Sequence, residues 1–237
     1  MEQYHGFDRL DFLFEDREAI LIFPKKAEEK RRFLLKTEYF DAFPAVELAL
    51  LERGFHLAFL KNIHRWCAED DLDRKHRFCA FLSEKYALAP RCIPVGMSCG
   101  GMFAVNFAAK YPADVSCLYL DAPVLNLCSC PGDMGIAKSG LFPEFHAATG
   151  VTRSALIVSR DHPIDKLPVL AAHRLPVALV YGKEDTTVPY CENGAVLERF
   201  YRENGLPLLT VGKEHCGHHP HGPKDPAPVV SFIENNG

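Results

Sequence analysis

The sequence predicts an α/β protein in which a mostly parallel β-sheet is flanked by helices. Strand-like and helix-like segments alternate along most of the chain, which is the pattern of a parallel sheet with helical crossovers. The clearest unit is the strand CIPVG, followed at once by the helix GGMFAVNFAAKYP and then by the strand VSCLYLDAP. The 237 residues, 48% of them hydrophobic and 24% charged, suit one domain spanning 1–237 with a full core.

The elements follow from apolar periodicity and from turn residues. The segments LDFLFED and EAILIFP predict a hairpin over residues 11–24. A helix over 41–54, with Gly54 as its C-cap, and a charged surface helix over 67–86 are predicted from helical apolar spacing. The remaining predictions are the strands RFLLKTEYF, FHLAFLK, PVALVYG and PLLTVGK and the helices NGAVLERFYRENG and PAPVVSFIENN.

One connection is much longer than the rest. Residues 125–173 separate the sixth and seventh core strands, and a connection of about fifty residues far exceeds the few residues of an ordinary loop. The sequence therefore predicts a cap insertion over the carboxyl edge of the sheet. Within it, Phe142 and its apolar neighbours Leu141, Phe145 and Leu156 would supply one wall of a pocket, while Lys138, His146 and Arg153 would face polar groups. The alternative is a surface embellishment without contact to the site.

Charge and hydropathy exclude several classes of function. A net charge of −4 and the absence of a basic cluster argue against nucleic acid as a partner. No apolar run reaches the about 18 residues needed to span a bilayer, and the acidic N-terminus lacks the features of a signal peptide. Nine cysteines, an odd number, fit reduced thiols. We therefore expect a cytoplasmic protein with no membrane partner; its oligomeric state is left open.

Ser98 occupies a suggestive position in the sequence GMSCGG. This segment matches G-x-S-x-G, in which a serine sits on a sharp turn from a strand into a helix. Side chains two residues to either side of such a turn would clash, which explains the glycines. The hydroxyl projects from the sheet, and the helix N-terminus behind it favours negative charge. The pattern predicts a nucleophile, with a structural turn as the alternative.

A nucleophilic serine needs a base, and that base needs an acid to orient it. Asp185 follows the strand PVALVYG at the edge where ligands of such sheets collect, and it can alternatively cap the next turn. Asp121 and Glu184 remain alternative acids. The segment GKEHCGHHPHG follows the last strand and holds four histidines. Serine, aspartate and histidine thus occur in one of the three known orders of such triads.

These motifs resemble those of α/β-hydrolase fold serine hydrolases, in the group of compact esterases and prolyl-oligopeptidase-like enzymes. The resemblance extends from about residue 23 to 233 and rests on YFDAFPAVELALLERGFHLAF, GMSCGG, YLDAP, YGKEDTTVPYCEN and CGHHPHGPKDPAPVVSFI. It implies that His218, directly after a glycine, is the base, with His219 as the alternative. The chain departs from the family pattern at Cys99, where relatives often carry arginine. It departs again at EHCG, where relatives have a glycine-rich segment directly before the catalytic histidine.

The resemblance also implies an oxyanion hole, the pair of N–H donors that binds the developing alkoxide. One donor would be the backbone N–H of Cys99, and the other would come from Thr37 or Glu38 after the strand RFLLK. The Glu38 carboxylate, together with His219 and Phe142, is a candidate for substrate binding. The alternative for Glu38 is a helix-start acid that interacts with the helix dipole.

The expected function is hydrolysis of a small carboxylic ester without cofactor or metal. Short acyl groups and acetylated carbohydrates are the favoured substrates; the alternatives are a small peptidase, a thioesterase or a non-catalytic binding protein of the same fold. A prolyl-oligopeptidase-type peptidase is expected to carry a large gating domain, which favours an esterase here. A zinc site at HCGHHPH with Cys128 and Cys130 is disfavoured because the spacing lacks a second conventional pair. Cys99 is disfavoured as nucleophile because it follows the turn.

Overall fold

Nine strands form one sheet in the computed structural model, which describes residues 2–237. The strands are β1 (Glu2–Tyr4), β2 (Phe7–Phe14), β3 (Arg17–Phe23), β4 (Phe33–Lys36), β5 (His56–Leu60), β6 (Ile93–Met97), β7 (Leu118–Asp121), β8 (Val177–Gly182) and β9 (Leu208–Lys213). Their spatial order is β1-β2-β3-β5-β4-β6-β7-β8-β9. The pairs from β5 to β9 are parallel, and the three pairs at the β1 end are antiparallel. The predicted mostly parallel sheet is therefore confirmed.

Within residues 2–237, eight α-helices accompany the sheet. They are α1 (Ala45–Glu52), α2 (Glu69–Tyr86), α3 (Cys99–Lys110), α4 (Phe142–Thr149), α5 (Arg153–Val158), α6 (Leu167–Ala172), α7 (Gly194–Glu203) and α8 (Ala227–Asn236). Successive strand residues point to opposite faces of the sheet, so Leu34 joins the core beneath α1 and α8. Its neighbour Leu35 joins the core beneath α2, α3, α6 and α7. The sheet is thus covered on both faces, as expected from its sequence.

Three details differ from the sequence prediction. The three-residue strand β1 was not predicted, so the long connection separates the seventh and eighth strands in the observed numbering. The hairpin begins at Phe7, earlier than the predicted residue 11. Strand β4 ends at Lys36 because the chain turns at Thr37, so TEYF lies in a loop at the carboxyl edge of the sheet.

The long connection over residues 125–173 has two structural parts. Helices α4 and α5 contribute Phe145 and Leu156 to a small third core, which contains Trp66 and Cys99. Helix α6 instead packs against the main core through Leu167 and Leu170. Only the first part of the connection therefore lies near the turn that carries Ser98.

Within residues 2–237, no helix has both the length and the apolar character required to cross a bilayer.

Candidate functional site

Ser98 lies on a strained corner between β6 and α3. Its φ of 52° and ψ of −121° fall outside the regions that side-chain-bearing residues normally adopt. A Cβ at Gly96 would lie 2.7 Å from the backbone oxygen of Gly100, and one at Gly101 would lie 2.2 Å from the Pro123 side chain. Both glycines are therefore required by close backbone approach, and the expected strand–turn–helix corner is present.

A continuous hydrogen-bonded chain links the three predicted triad residues. The Oγ of Ser98 lies 3.0 Å from Nε2 of His218. On the other side of the imidazole, Nδ1 lies 2.7 Å from Oδ2 of Asp185. An ionised carboxylate only accepts hydrogen bonds, so Nδ1 carries the proton and Nε2 presents its lone pair to the serine hydroxyl. This tautomer is the one in which a histidine can act as a base toward Ser98.

Asp185 is fixed by its own backbone surroundings. Its Oδ1 accepts hydrogen bonds from the N–H groups of Thr187 (2.9 Å) and Val188 (2.8 Å). These bonds leave Oδ2 for His218, and the carboxylate is almost fully buried, with 1% of its side chain exposed. The predicted alternative acids lie elsewhere: Asp121 faces His221, and Glu184 faces the exposed His215. Asp185 is therefore the acid in contact with the imidazole of His218.

The predicted oxyanion donors differ in whether their backbone N–H groups already have a hydrogen-bond partner within the protein. The N–H of Cys99 is the first of α3 and has no partner within the helix, as at any helix start. The N–H of Thr37 already donates to the carbonyl of Val95 (3.1 Å), and its hydroxyl lies within hydrogen-bond distance of the carbonyls of Val95 and Gly100. Thr37 thus ties β4 to the corner instead of facing the serine. Glu38 is the remaining candidate, with its backbone nitrogen beside the first turn of α3.

The carboxylate of Glu38 is bound within the protein. Its Oε2 accepts a hydrogen bond of 2.6 Å from the side chain of Asn62, and its Oε1 lies 3.3 Å from the backbone nitrogen of Tyr39. Glu38 is not among the residues that line the cavity at Ser98. Its observed role is to hold the loop after β4, so the expectation of substrate binding by this carboxylate finds no support in its contacts.

Tyr39 lines the site although the sequence did not single it out. Its backbone adopts a φ of 54°, and its hydroxyl lies 3.5 Å from a guanidinium nitrogen of Arg65 and beside the thiol of Cys99. Burial raises the pKa of the Tyr39 hydroxyl above its usual range, so it stays protonated. The one sequence signal was its place in the turn directly after a core strand.

Cys99 does not have the surroundings of a reactive thiol. The residue is 1% exposed, and burial raises the pKa of its thiol above the ordinary value. A nucleophilic cysteine requires the opposite, a lowered pKa in an accessible setting. The structure thus agrees with the expectation that Cys99 is not the nucleophile.

Three of the four clustered histidines converge. The imidazoles of His218, His219 and His221 pack edge to face, with ring centres 4.7–5.0 Å apart. Nδ1 of the buried His221 lies 3.2 Å from Oδ1 of Asp121, forming a second histidine–aspartate pair. Burial, followed by the neighbouring imidazoles, lowers the pKa of the exposed His219 below its ordinary value. The buried pair of His221 with Asp121 was not predicted from the sequence.

A cavity of about 350 Å³ opens above Ser98. Its lining residues are Tyr39, Ala42, Phe43, Arg65, Met97, Ser98, Ser139, Leu141, Thr187, His218, His219 and His221. The wall is thus mainly apolar and aromatic, with one guanidinium and the histidine cluster. Another cavity, of about 440 Å³, lies beside Cys67, Asn106 and Lys110, away from Ser98. The cavity at Ser98 is lined by the Ser98 hydroxyl and by the His218 imidazole that contacts it.

The long connection contributes only part of what was expected. Ser139 and Leu141 line the cavity, but Phe142 does not. The ring of Phe142 packs instead against Phe145 and lies 3.8 Å beneath the guanidinium of Arg153. The substrate-binding expectation for Phe142 therefore finds no support in its contacts.

Helix α4 is anchored to the loop before α2 by Glu144. Its carboxylate accepts hydrogen bonds from the Arg65 guanidinium and, at 3.0 Å, from the indole N–H of Trp66. Glu144 therefore neutralises Arg65 on one side while the guanidinium borders the cavity on the other.

Comparisons with known proteins identify the fold. No protein-family model matches the sequence, and a search of curated proteins gives no significant match. An acylaminoacyl peptidase from Pyrococcus horikoshii superimposes with a TM-score of 0.69 at 12% identity, covering 90% of this chain and 38% of that protein. A Mycobacterium tuberculosis puromycin-hydrolyzing peptidase gives a TM-score of 0.71 at 14% identity, covering 96% and 37%.

A third similar structure matches in length as well. TT1662 from Thermus thermophilus superimposes with a TM-score of 0.65 at 14% identity, covering 97% of each chain. The present chain thus spans little more than a third of the two peptidases and nearly all of TT1662. The strand order, the serine corner and these superpositions agree: the chain has the α/β-hydrolase fold, as its sequence motifs predicted.

Proposed function

We propose that this protein is a serine hydrolase that cleaves short-acyl carboxylic esters through an acyl-enzyme on Ser98. The observation that carries the proposal is the hydrogen-bonded chain from Ser98 through His218 to Asp185, with donor–acceptor distances of 3.0 and 2.7 Å. A serine on a strained corner, an imidazole held in one tautomer and a buried carboxylate that orients that imidazole are together the arrangement that activates a serine nucleophile.

The proposed reaction has two stages. Oγ of Ser98 attacks the ester carbonyl carbon while its proton moves to Nε2 of His218. The imidazolium then gives that proton to the leaving alcohol, whose C–O bond breaks to yield the acyl-enzyme. Water, deprotonated by the same nitrogen, attacks the acyl carbon and releases the acid, and the proton returns to Ser98. Asp185 stays ionised throughout and stabilises the positive imidazolium.

The tetrahedral oxygen needs hydrogen-bond donors. The N–H of Cys99 and the N–H of Glu38 are proposed for this role, because Thr37 is engaged in the sheet. Two such donors act on charge that is absent from the substrate and present in the transition state, which is why they accelerate the reaction.

The substrate size follows from the cavity. A volume of about 350 Å³ lies at the small end of the range for ligand pockets, and Leu141 and Phe43 are among the apolar residues that line it. Acetyl to butyryl esters are therefore the proposed substrates; an acetylated sugar is a further candidate for the alcohol part. The competing candidate is a peptidase, favoured by the names of the two Pyrococcus and Mycobacterium proteins above.

A panel of p-nitrophenyl esters from acetate to decanoate, set beside aminoacyl p-nitroanilides, tests the proposal. We expect kcat/KM to be highest between acetate and butyrate and lower for the anilides. Faster hydrolysis of decanoate than of acetate would contradict the small cavity. Faster hydrolysis of the anilides would assign the protein to the peptidases.

A further inference from the structure

The histidine cluster has the geometry of a metal site as well as that of a base. His218, His219 and His221 each offer one ligand nitrogen, and these atoms lie within 4.8 Å of one another. In two of the three imidazoles Nδ1 contacts a carboxylate: Asp185 for His218 and Asp121 for His221. Each carboxylate fixes its ring with the proton on Nδ1 and the lone pair on Nε2. Metal-binding histidines characteristically have this outer carboxylate.

We propose that His218, His219 and His221 bind one divalent transition-metal ion of the zinc class, and that the bound ion reversibly blocks Ser98. Metal binding follows from the imidazoles alone; the blocking effect rests on the hydrolase function proposed above. Imidazole nitrogen suits Zn²⁺, Cu²⁺ and Ni²⁺, whereas Mg²⁺ and Ca²⁺ require oxygen ligands.

Small movements bring the nitrogens to bonding positions. Zinc–nitrogen bonds of about 2.0–2.1 Å in a tetrahedron place the ligand atoms about 3.4 Å apart. The present separations of up to 4.8 Å therefore need to shrink by up to about 1.4 Å. His219 is the ligand able to move most, because it is exposed and its ring is held by packing against Phe43, His218 and His221. The partly buried His218 and the buried His221 are each oriented at Nδ1 by a carboxylate and need only small ring shifts, and the exposed His219 gives the ion a route from solvent.

Blocking follows from the choice of nitrogen. Nε2 of His218 is the atom 3.0 Å from Oγ of Ser98, and its lone pair is what would accept the serine proton. A metal ion bonded to that lone pair leaves no base beside the hydroxyl. Water or Ser98 Oγ fills the fourth coordination position.

Zinc binding is measured first on the Ser98→Ala protein, which keeps all three histidines and cannot hydrolyse. Competition with a chromophoric chelator should give one tight equivalent of Zn²⁺. His219→Ala in the same background should weaken it by more than about 100-fold, because loss of an outer carboxylate alone costs about 10–100-fold. The matched control is His215→Ala, an exposed histidine of the same loop whose Nδ1 faces Glu184. It should leave zinc affinity unchanged.

The outcomes separate the metal site from the enzyme. If the Ser98→Ala/His219→Ala double variant binds zinc as tightly as the Ser98→Ala protein, the proposed site is overturned. Such a result would point to an exposed thiol such as Cys191, which both proteins retain. In the wild-type protein, ester hydrolysis should fall with the same zinc dependence and return on adding EDTA. Tight binding without inhibition would overturn the blocking step. A wild-type protein that binds zinc but hydrolyses no ester would refute the proposed function and leave the metal site standing.

Discussion

Replacement of Asp185 by asparagine probes the tautomer that the structure imposes on His218. The amide has the same shape as the carboxylate, and its oxygen can still accept the N–H groups of Thr187 and Val188. Its NH₂ group then faces Nδ1 of His218, which must become an acceptor. The proton moves to Nε2, so the imidazole can no longer accept the hydroxyl proton of Ser98.

The expected magnitude follows from that change. The same substitution in the chymotrypsin-type triad lowers kcat by about 10,000-fold. Each tenfold loss corresponds to about 1.36 kcal/mol, so the wrong tautomer should raise the activation barrier by about 5 kcal/mol. Folding should be little affected, because the backbone hydrogen bonds to the side-chain oxygen remain.

The assay is kcat for p-nitrophenyl acetate in the Asp185→Asn variant, with circular dichroism to verify the fold. Glu184→Gln is the matched control: the neighbouring acid contacts the exposed His215 and should retain the full rate. A folded Asp185→Asn enzyme within tenfold of the wild-type rate would refute the tautomer argument. A large loss in Glu184→Gln instead would move the orienting role to Glu184.

Three further predictions concern stability. His56 is 1% exposed, and burial lowers its pKa to about 4. Between about pH 6.5 and 4 the unfolded chain therefore binds a proton at His56 that the native chain does not, so the free energy of unfolding should fall by up to about 3 kcal/mol as the pH is lowered through that window. Urea titrations at several pH values measure this fall, and the His56→Leu variant should not show it. A Cβ at Gly101 meets backbone as well as side-chain atoms of Pro123, so Gly101→Ala should lower the melting temperature sharply or prevent folding. Lys36 and Glu47 form a fully buried ion pair, so Lys36→Met alone should cost about 3–5 kcal/mol, whereas the double variant with Glu47→Leu should recover much of it.

Each of these has a contrary outcome. Unchanged acid stability in His56→Leu would show that another group controls the titration. Gly217→Ala is the control for the Gly101→Ala variant, because a Cβ at Gly217 would lie no closer than 3.8 Å to another atom. Equal melting temperatures for the two variants would contradict the packing argument. A double Lys36→Met/Glu47→Leu protein less stable than the single variant would contradict the argument that the unpaired, buried Glu47 carboxylate causes the loss.

Much of the architecture was predictable because local patterns and sheet geometry agree. The apolar strand before Ser98 and the alanine-rich helix after it specify the corner, and the positions of Asp185 and His218 just beyond strand ends bring them to the same edge. Strand β1 was not predictable, since two of its three residues are exposed and pairing with β2 alone places it.

Contacts between distant segments account for the remaining differences. The His221–Asp121 pair joins residues one hundred positions apart, and neither residue carries a local signal for the other. Thr37 is a predicted oxyanion donor, but its N–H donates to the carbonyl of Val95 on the neighbouring strand β6, a contact that only the sheet order reveals. Phe142 was assigned to the pocket from its place in the long connection; its ring packs on Phe145 inside that connection.

The central claim is that Ser98 is activated, and covalent labelling tests it without knowledge of the substrate. A fluorophosphonate reacts with a serine whose hydroxyl is deprotonated by a neighbouring base, so intact-protein mass spectrometry should show one phosphonyl adduct per chain, mapped to Ser98 by peptide analysis. The His218→Ala and Ser98→Ala proteins should remain unlabelled. A folded wild-type protein that does not react, or that carries the adduct at another residue, would contradict the assignment of Ser98 as the nucleophile.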